Sequence, residues 1–118
     1  YQILNISSGA GKKAIDAWAT YCASKAALDL FSETIAEELE WRARTNWFVH
    51  SCAPGVVDTQ MQTSIRSSTE ESFKMVQHFK DLFANNELYS TDFVARKLSK
   101  VIEHPEKFAD TVISVRDF

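Results

Sequence analysis

Glycine and proline are scarce: the chain holds only three and two of them in 118 residues. That excludes a collagen-like or low-complexity chain. It also leaves no GxxxGxG run, so these residues alone carry no glycine-rich cradle for a pyrophosphate. Cysteine is nearly absent. Cys22 and Cys52 have no CxxC spacing and no histidine cluster beside them, which argues against a structural zinc site. Two reduced, partly buried thiols are expected, and with them a cytoplasmic location. No apolar run approaches the roughly 18 residues of a membrane span, and no signal peptide is visible. Charge of neither sign dominates: 13 basic against 16 acidic residues leave a net −3, against a broad nucleic-acid footprint. No repeat or low-complexity tract occurs.

What is present reads as a globular core. The segment Tyr1–Ile6 is short, apolar and β-branched enough for a buried strand, and Ser7-Ser8-Gly9-Ala10-Gly11 reads as the turn that ends it. A chain starting inside a core strand is expected to be a piece of a longer one. From about Ala17 to Arg42 the pattern is helical, with Tyr21, Lys25, Leu28, Ser32, Ile35 and Leu39 on one stripe. Ala27 and Phe31 are expected to widen that stripe. The small residues Ala23, Ser24, Ala26 and Ala27 leave a thin surface on which another backbone could pack. A second strand is expected over Trp47–Ala53, stopped by Pro54-Gly55. Ser68 or Thr69 offers an N-cap for a helix to about Phe83, closed by Asn85-Asn86. Ser90 or Thr91 starts another through Glu103, ended by His104-Pro105. A last strand is expected over Thr111–Val115.

Strands alternating with helices predict a parallel sheet covered by helices. Three strands make only part of a doubly wound domain. In such sheets ligands bind outside the carboxyl ends of the strands. Ser8 follows the first strand, Pro54–Thr59 follows the second, and the first turns of the long helix bring Tyr21 and Lys25 to the same edge. Tyr21 and Lys25 are helical neighbours. An ammonium beside a phenol favours the phenolate, which helps a tyrosine exchange protons. Ser8 can hydrogen-bond an oxygen held beside that phenol. One orienting hydroxyl, one acid or base and one cation suit the conversion of a carbonyl to an alcohol. Taken singly, a Tyr-x-x-x-Lys pair is more often a packed tyrosine and a snorkelling lysine; the convergence is what carries weight.

Together, Asn5-Ile6-Ser7-Ser8-Gly9-Ala10-Gly11, Tyr21-Cys22-Ala23-Ser24-Lys25 and Ala53-Pro54-Gly55-Val56-Val57-Asp58-Thr59 resemble the short-chain dehydrogenase/reductase family. The resemblance spans essentially the whole chain. It implies the carboxyl-terminal portion of a single α/β, Rossmann-like, doubly wound domain over residues 1–118, the amino-terminal cofactor-binding half lying outside it. It implies Tyr21 as catalytic acid/base, and Ser8 as the group orienting the substrate carbonyl. Lys25 would hold the nicotinamide ribose and ease proton loss from Tyr21. Pro54, Gly55, Val57 and Thr59, with Tyr21 and Lys25, would line the nicotinamide site. No metal is implied. The expected cofactor is NADP, with NAD open, and the isolated 118 residues are expected to be inactive.

Within the family, Trp18-Ala19-Thr20-Tyr21-Cys22-Ala23 and the run from Ala53 to Gln62 resemble the sepiapterin reductase branch. Ile65–Ser68 and the tail resemble benzil reductases, which reduce one ketone of an aromatic diketone. Where sepiapterin reductases keep an acid to anchor the pterin, this chain has Ser114, with Asp117 out of register; that departure favours a less polar diketone. The resemblance further implies a homodimer or homotetramer through the long helix, and a small-molecule carbonyl as the partner, with neither nucleic acid nor membrane. Residues 60–86 fall where the family places its lid. There Met61, Ile65, Phe73, Met75, Val76 and Phe79 either line a pocket or simply pack. His50, His78 and His104 are expected to be structural or exposed, and Trp41 and Trp47 to pack. The alternatives are the same chemistry on another substrate, such as an acyl-carrier or a sugar alcohol, or a non-catalytic dinucleotide-binding regulator. Intact Ser8, Tyr21 and Lys25 argue against the regulator.

Overall fold

The computed structural model describes residues 1–118. Strand β1 (Gln2–Ile6) leads through a single 3-10 turn (Gly9–Lys12) to helix α1 (Ala19–Trp41) and then strand β2 (Phe48–Ala53). Helices α2 (Gln60–Arg66), α3 (Val76–Ala84) and α4 (Thr91–Glu103) follow, then strand β3 (Val112–Ser114). The strands form one parallel sheet in the order β1-β2-β3, with Leu4 opposite His50 and Cys52 opposite Ile113. Mixed α/β architecture with flanking helices is thus as the alternation of patterns predicts.

Side chains alternate across the sheet and define two layers. On one face, Asn5 Nδ2 donates to Ser32 Oγ at 2.9 Å and Ser51 Oγ donates to Asp29 Oδ1 at 2.7 Å, docking α1. On the other, Cys52, Val101, Ile113 and Val115 form a buried cluster, and Gln2 Nε2 donates to the Val101 carbonyl at 2.8 Å, docking α4. A second cluster of Ala10, Ile15, Phe73, Val76 and Phe79 lies beyond the sheet, between the loop after β1 and α3.

The helix boundaries show where local signals lost to packing. Helix α1 starts two residues later than expected, because Ala17 takes φ 63° and turns the chain into the helix. At its other end Ala43, at φ 52°, occupies the left-handed position usually given to glycine, and the Arg44 N–H reaches the Leu39 carbonyl at 2.9 Å. The outer face corrects one expectation: Leu30 and Phe31 are exposed, as is Ala27, so the buried stripe is not widened on that side. Trp41 is 89% exposed, whereas Trp47 stacks on Tyr1 at 4.6 Å.

The largest correction lies in residues 60–84. Gln60–Arg66 forms a helix of its own, and the helix expected from Ser68 or Thr69 begins only at Val76. The capping signal is real but short-lived. Thr69 Oγ1 accepts from the Ser72 N–H at 3.2 Å, and the Phe73 N–H reaches the Thr69 carbonyl at 2.9 Å. The turn then breaks, because Phe73 is buried in the second cluster and the Lys74 N–H is taken by Asp16 Oδ2 at 2.8 Å. Asn85 caps α3 as anticipated. Ser90 caps α4 by accepting from the Phe93 N–H at 3.2 Å, and His104 ends it before Pro105.

Candidate active site

The carboxyl edge of the sheet opens into a cavity of about 630 Å³. Ser8, Tyr21, Pro54, Gly55, Val57 and Thr59 all line it. Three separate stretches of chain therefore meet as the positional reading anticipates, and the volume lies within the range of small-molecule sites.

Ser8 stands at the end of β1 as the N-cap of the 3-10 turn, where its Oγ accepts from the Ala10 N–H at 3.2 Å. A hydroxyl that accepts from the backbone still has its own proton to donate, which suits contact with a carbonyl oxygen. The turn lies tight against α1. A side chain at Gly11 would bring its Cβ to 2.9 Å from the Lys25 carbonyl carbon and 3.1 Å from Asp29 Oδ2, so only glycine allows the loop that carries Ser8 to approach this closely.

Tyr21 sits in the first turn of α1, its ring edge-on to Trp18 at 5.6 Å. Lys25 lies one turn on, with Nζ 5.7 Å from the centre of the Tyr21 ring. It does not line the cavity. Its ammonium turns back to the sheet and donates to the Ile6 carbonyl at 2.8 Å. Lys25 is thus behind Tyr21, fixed to the strand that carries Ser8.

The loop after β2 is shaped by Gly55, at φ +77°. A Cβ there would stand 2.6 Å from the Tyr89 ring. Paired hydrogen bonds hold the loop in place: the Tyr89 N–H reaches the Val56 carbonyl, and the Asp58 N–H the Tyr89 carbonyl, each at 2.9 Å. Pro54–Thr59 is thus tied to the segment at Tyr89 through two backbone hydrogen bonds.

Aromatic packing forms the wall opposite the sheet. Trp18 stacks on Phe73 at 5.2 Å, nearly parallel, and meets Phe79 at 5.6 Å. Of the apolar residues weighed for this segment, Met61, Ile65, Met75 and Phe79 line the cavity, while Phe73 and Val76 pack behind it. Lining and packing are divided between neighbouring residues of the same segment.

Several lining residues carry no sequence signal for a site: Lys13, Gln62, His78 and Arg116. Gln62 is buried, and its Oε1 has no hydrogen-bond partner. Trp18 could have been found, since it stands three residues before Tyr21 at the start of the helix. Ser114 lines the cavity, whereas Asp117 turns away from it, its Oδ2 accepting from the Ser114 N–H at 3.1 Å. His50 is buried between sheet and tail, 3.2 Å from the Phe108 carbonyl, and His104 pairs on the surface with Glu106 at 3.6 Å. No group of metal-ligating side chains is gathered anywhere in the chain.

The thiols are far from equivalent. Cys22 is half-buried, and Cys52 is fully buried in β2. Burial pushes the Cys52 thiol up from 9.0 to about 11; the charge of Asp117 adds to the rise, and a backbone hydrogen bond at Val115 partly offsets it.

The nicotinamide end of a dinucleotide fits this edge, because the loop after β2, the Tyr21 ring and Ser8 border one space large enough for a ring and a small carbonyl compound. A pyrophosphate does not fit equally well, since Gly9, Gly11 and Gly55 are dispersed and form no phosphate loop.

Comparison with known proteins places the chain in a family. The family model for short chain dehydrogenase matches residues 2–70. Benzil reductase ((S)-benzoin forming) of Bacillus subtilis is 40% identical over 101 residues, 86% of this chain and 41% of that protein. The Bacillus cereus protein of the same name is 37% identical over 106 residues, 89% of this chain and 42% of its own length. A crystal structure of a short-chain dehydrogenase/reductase from Saccharomyces cerevisiae superposes with a TM-score of 0.83 at 29% identity, covering 97% of this chain and 45% of that one. The chain spans about two-fifths of the length of the Bacillus relatives it matches.

Proposed function

The chain belongs to the short-chain dehydrogenase family, and on that premise we propose that the protein containing it reduces a carbonyl to an alcohol with a nicotinamide cofactor. The proposed substrate is an aromatic diketone, and the proposed cofactor is NADPH. The observation that carries this reading is the shared cavity: Ser8 and Tyr21 line it together with Pro54, Gly55, Val57 and Thr59. A purely nucleotide-binding regulator has no need for a hydroxyl and a phenol facing one space. The likeness to the two benzil reductases supports the diketone.

Each residue then has a role that follows from its position. Ser8, already held by the Ala10 N–H, donates a hydrogen bond to the carbonyl oxygen and orients it while keeping its own proton. Tyr21 gives the proton that turns that oxygen into a hydroxyl. Lys25, fixed to the Ile6 carbonyl, places positive charge behind the phenol, and its remaining N–H donors would serve the nicotinamide ribose. Pro54, Gly55, Val57 and Thr59 hold the carboxamide side of the ring. Reduced nicotinamide, when bound, would supply the hydride to the carbonyl carbon.

The phosphate-binding glycines are expected outside these 118 residues, so the piece alone should not turn over. No helix is long and apolar enough to cross a membrane. A cytoplasmic enzyme, self-associated through the exposed apolar side of α1 at Leu30 and Phe31, completes the proposal.

The test is reduction of benzil by the full-length protein with NADPH and with NADH, followed by loss of reduced-nicotinamide absorbance. Stoichiometric formation of benzoin, faster with NADPH, is the expected result. No reduction of any diketone with either cofactor would reject the reading.

A further inference from the structure

The cavity has a charge pattern that the reductase chemistry does not require. Three basic side chains line it, Lys13, His78 and Arg116, and no aspartate or glutamate does. The whole chain, by contrast, carries a net charge of −3. Acids do occur beside the cavity, among them Asp16, Asp58 and Asp117, but none lines it, and two are engaged by backbone N–H groups. Asp16 accepts from the Lys74 N–H at 2.8 Å, and Asp117 accepts from the Ser114 N–H at 3.1 Å. Nor are the cations neutralised by other partners, since the one salt bridge in the chain joins His104 and Glu106. Lys13 follows the 3-10 turn and Arg116 follows β3, so the two fixed charges reach the cavity from different parts of the fold.

Resting on the carbonyl-reductase reading, the geometry points to an anionic substrate: an aryl ketone or diketone carrying a carboxylate, its ring against the Trp18–Phe79 wall and its carboxylate facing Lys13 and Arg116. A cleft lined by one sign of charge with low-dielectric walls concentrates ligands of the opposite sign. A guanidinium is the side chain best matched to the two oxygens of a carboxylate. The apolar wall supplies the affinity common to neutral and charged substrates, and the cations supply the discrimination between them.

The matched pair benzil and 4-carboxybenzil isolates the effect. In the full-length protein the KM for 4-carboxybenzil should be about tenfold lower than for benzil, and the ratio should shrink as salt is raised. In the double variant Lys13→Gln, Arg116→Gln the ratio should fall to near one, and Arg116→Lys in the Lys13→Gln background should recover part of it. Equal KM values in the wild-type protein, or a preference that survives in the double variant, would overturn the inference. Calorimetric binding of both compounds to the cofactor-loaded protein separates this result from failure of the reductase reading. If neither compound is reduced, that reading falls, yet tighter binding of the carboxylated one still supports the anion site and equal binding rejects it.

Discussion

The Lys25 ammonium donates to the Ile6 carbonyl at 2.8 Å, two residues before Ser8. This bond ties the helix bearing Tyr21 to the strand that leads into Ser8. Lys25→Met should lower kcat/KM by about 100-fold or more, the usual scale for losing proton-transfer assistance. It should also cost about 1 kcal/mol of stability from the carbonyl left without its donor. Steady-state kinetics and urea unfolding of the full-length protein check the two effects separately.

Tyr21→Phe keeps the ring that packs edge-on to Trp18 and removes only the hydroxyl. Turnover should fall by about 10²- to 10⁴-fold, with the thermal midpoint nearly unchanged. Turnover equal to that of the parent protein would reject Tyr21 as the acid.

Gly55→Ala should be severe. The residue sits at φ +77°, and the new methyl carbon would stand 2.6 Å from the Tyr89 ring. A loss of about 1–3 kcal/mol is expected from backbone strain and clash. Affinity for the nicotinamide cofactor should weaken with it, read by cofactor titration of the purified variant.

Asp29→Ala removes the acceptor of the buried Ser51 hydroxyl, which lies 2.7 Å away. The expected cost is about 1–3 kcal/mol. Asp29→Asn, which keeps an oxygen at the same place, should cost less. Denaturant midpoints of the two variants make the comparison.

Cys52 sets an alkaline limit. Its thiol is raised in the folded chain from 9.0 to about 11, chiefly by burial. A group that holds its proton more tightly when folded contributes its stabilisation below the unfolded value and loses it as pH rises. Stability should therefore decline between pH 9.0 and about 11, and Cys52→Ala should flatten that part of the curve. At neutral pH, alkylation should reach Cys22 first and Cys52 only on unfolding.

The residues proposed to carry the chemistry were readable because they are local or sit at strand ends. Tyr21 and Lys25 share a helix face, and Ser8 and Pro54–Thr59 follow apolar strand runs. Parallel strands put those ends on one side, so the convergence required no distance information. The same reading failed where a local signal competed with tertiary contacts. Thr69 caps a turn as its type suggests, but burial of Phe73 and capture of the Lys74 N–H by Asp16 stop the helix there. Lys13 and Arg116 were invisible as cavity-lining residues, because nothing in a flanking loop states which cavity it will border.

Asp29 was also illegible as core: a carboxylate on a helix reads as solvent-facing, yet it is buried against the sheet beside Ser32 of the expected stripe. Their partners, Ser51 and Asn5, lie in strands that otherwise read as apolar.

Neighbouring positions of β2 confront unlike surroundings: Ser51 meets a carboxylate on one side, and Cys52 meets valine and isoleucine on the other. Sliding that strand by a single position would thrust the thiol at the acid and the hydroxyl into hydrocarbon. One polar contact thus works as a key that admits a single alignment, and the floor beneath the reacting atoms inherits its precision from it.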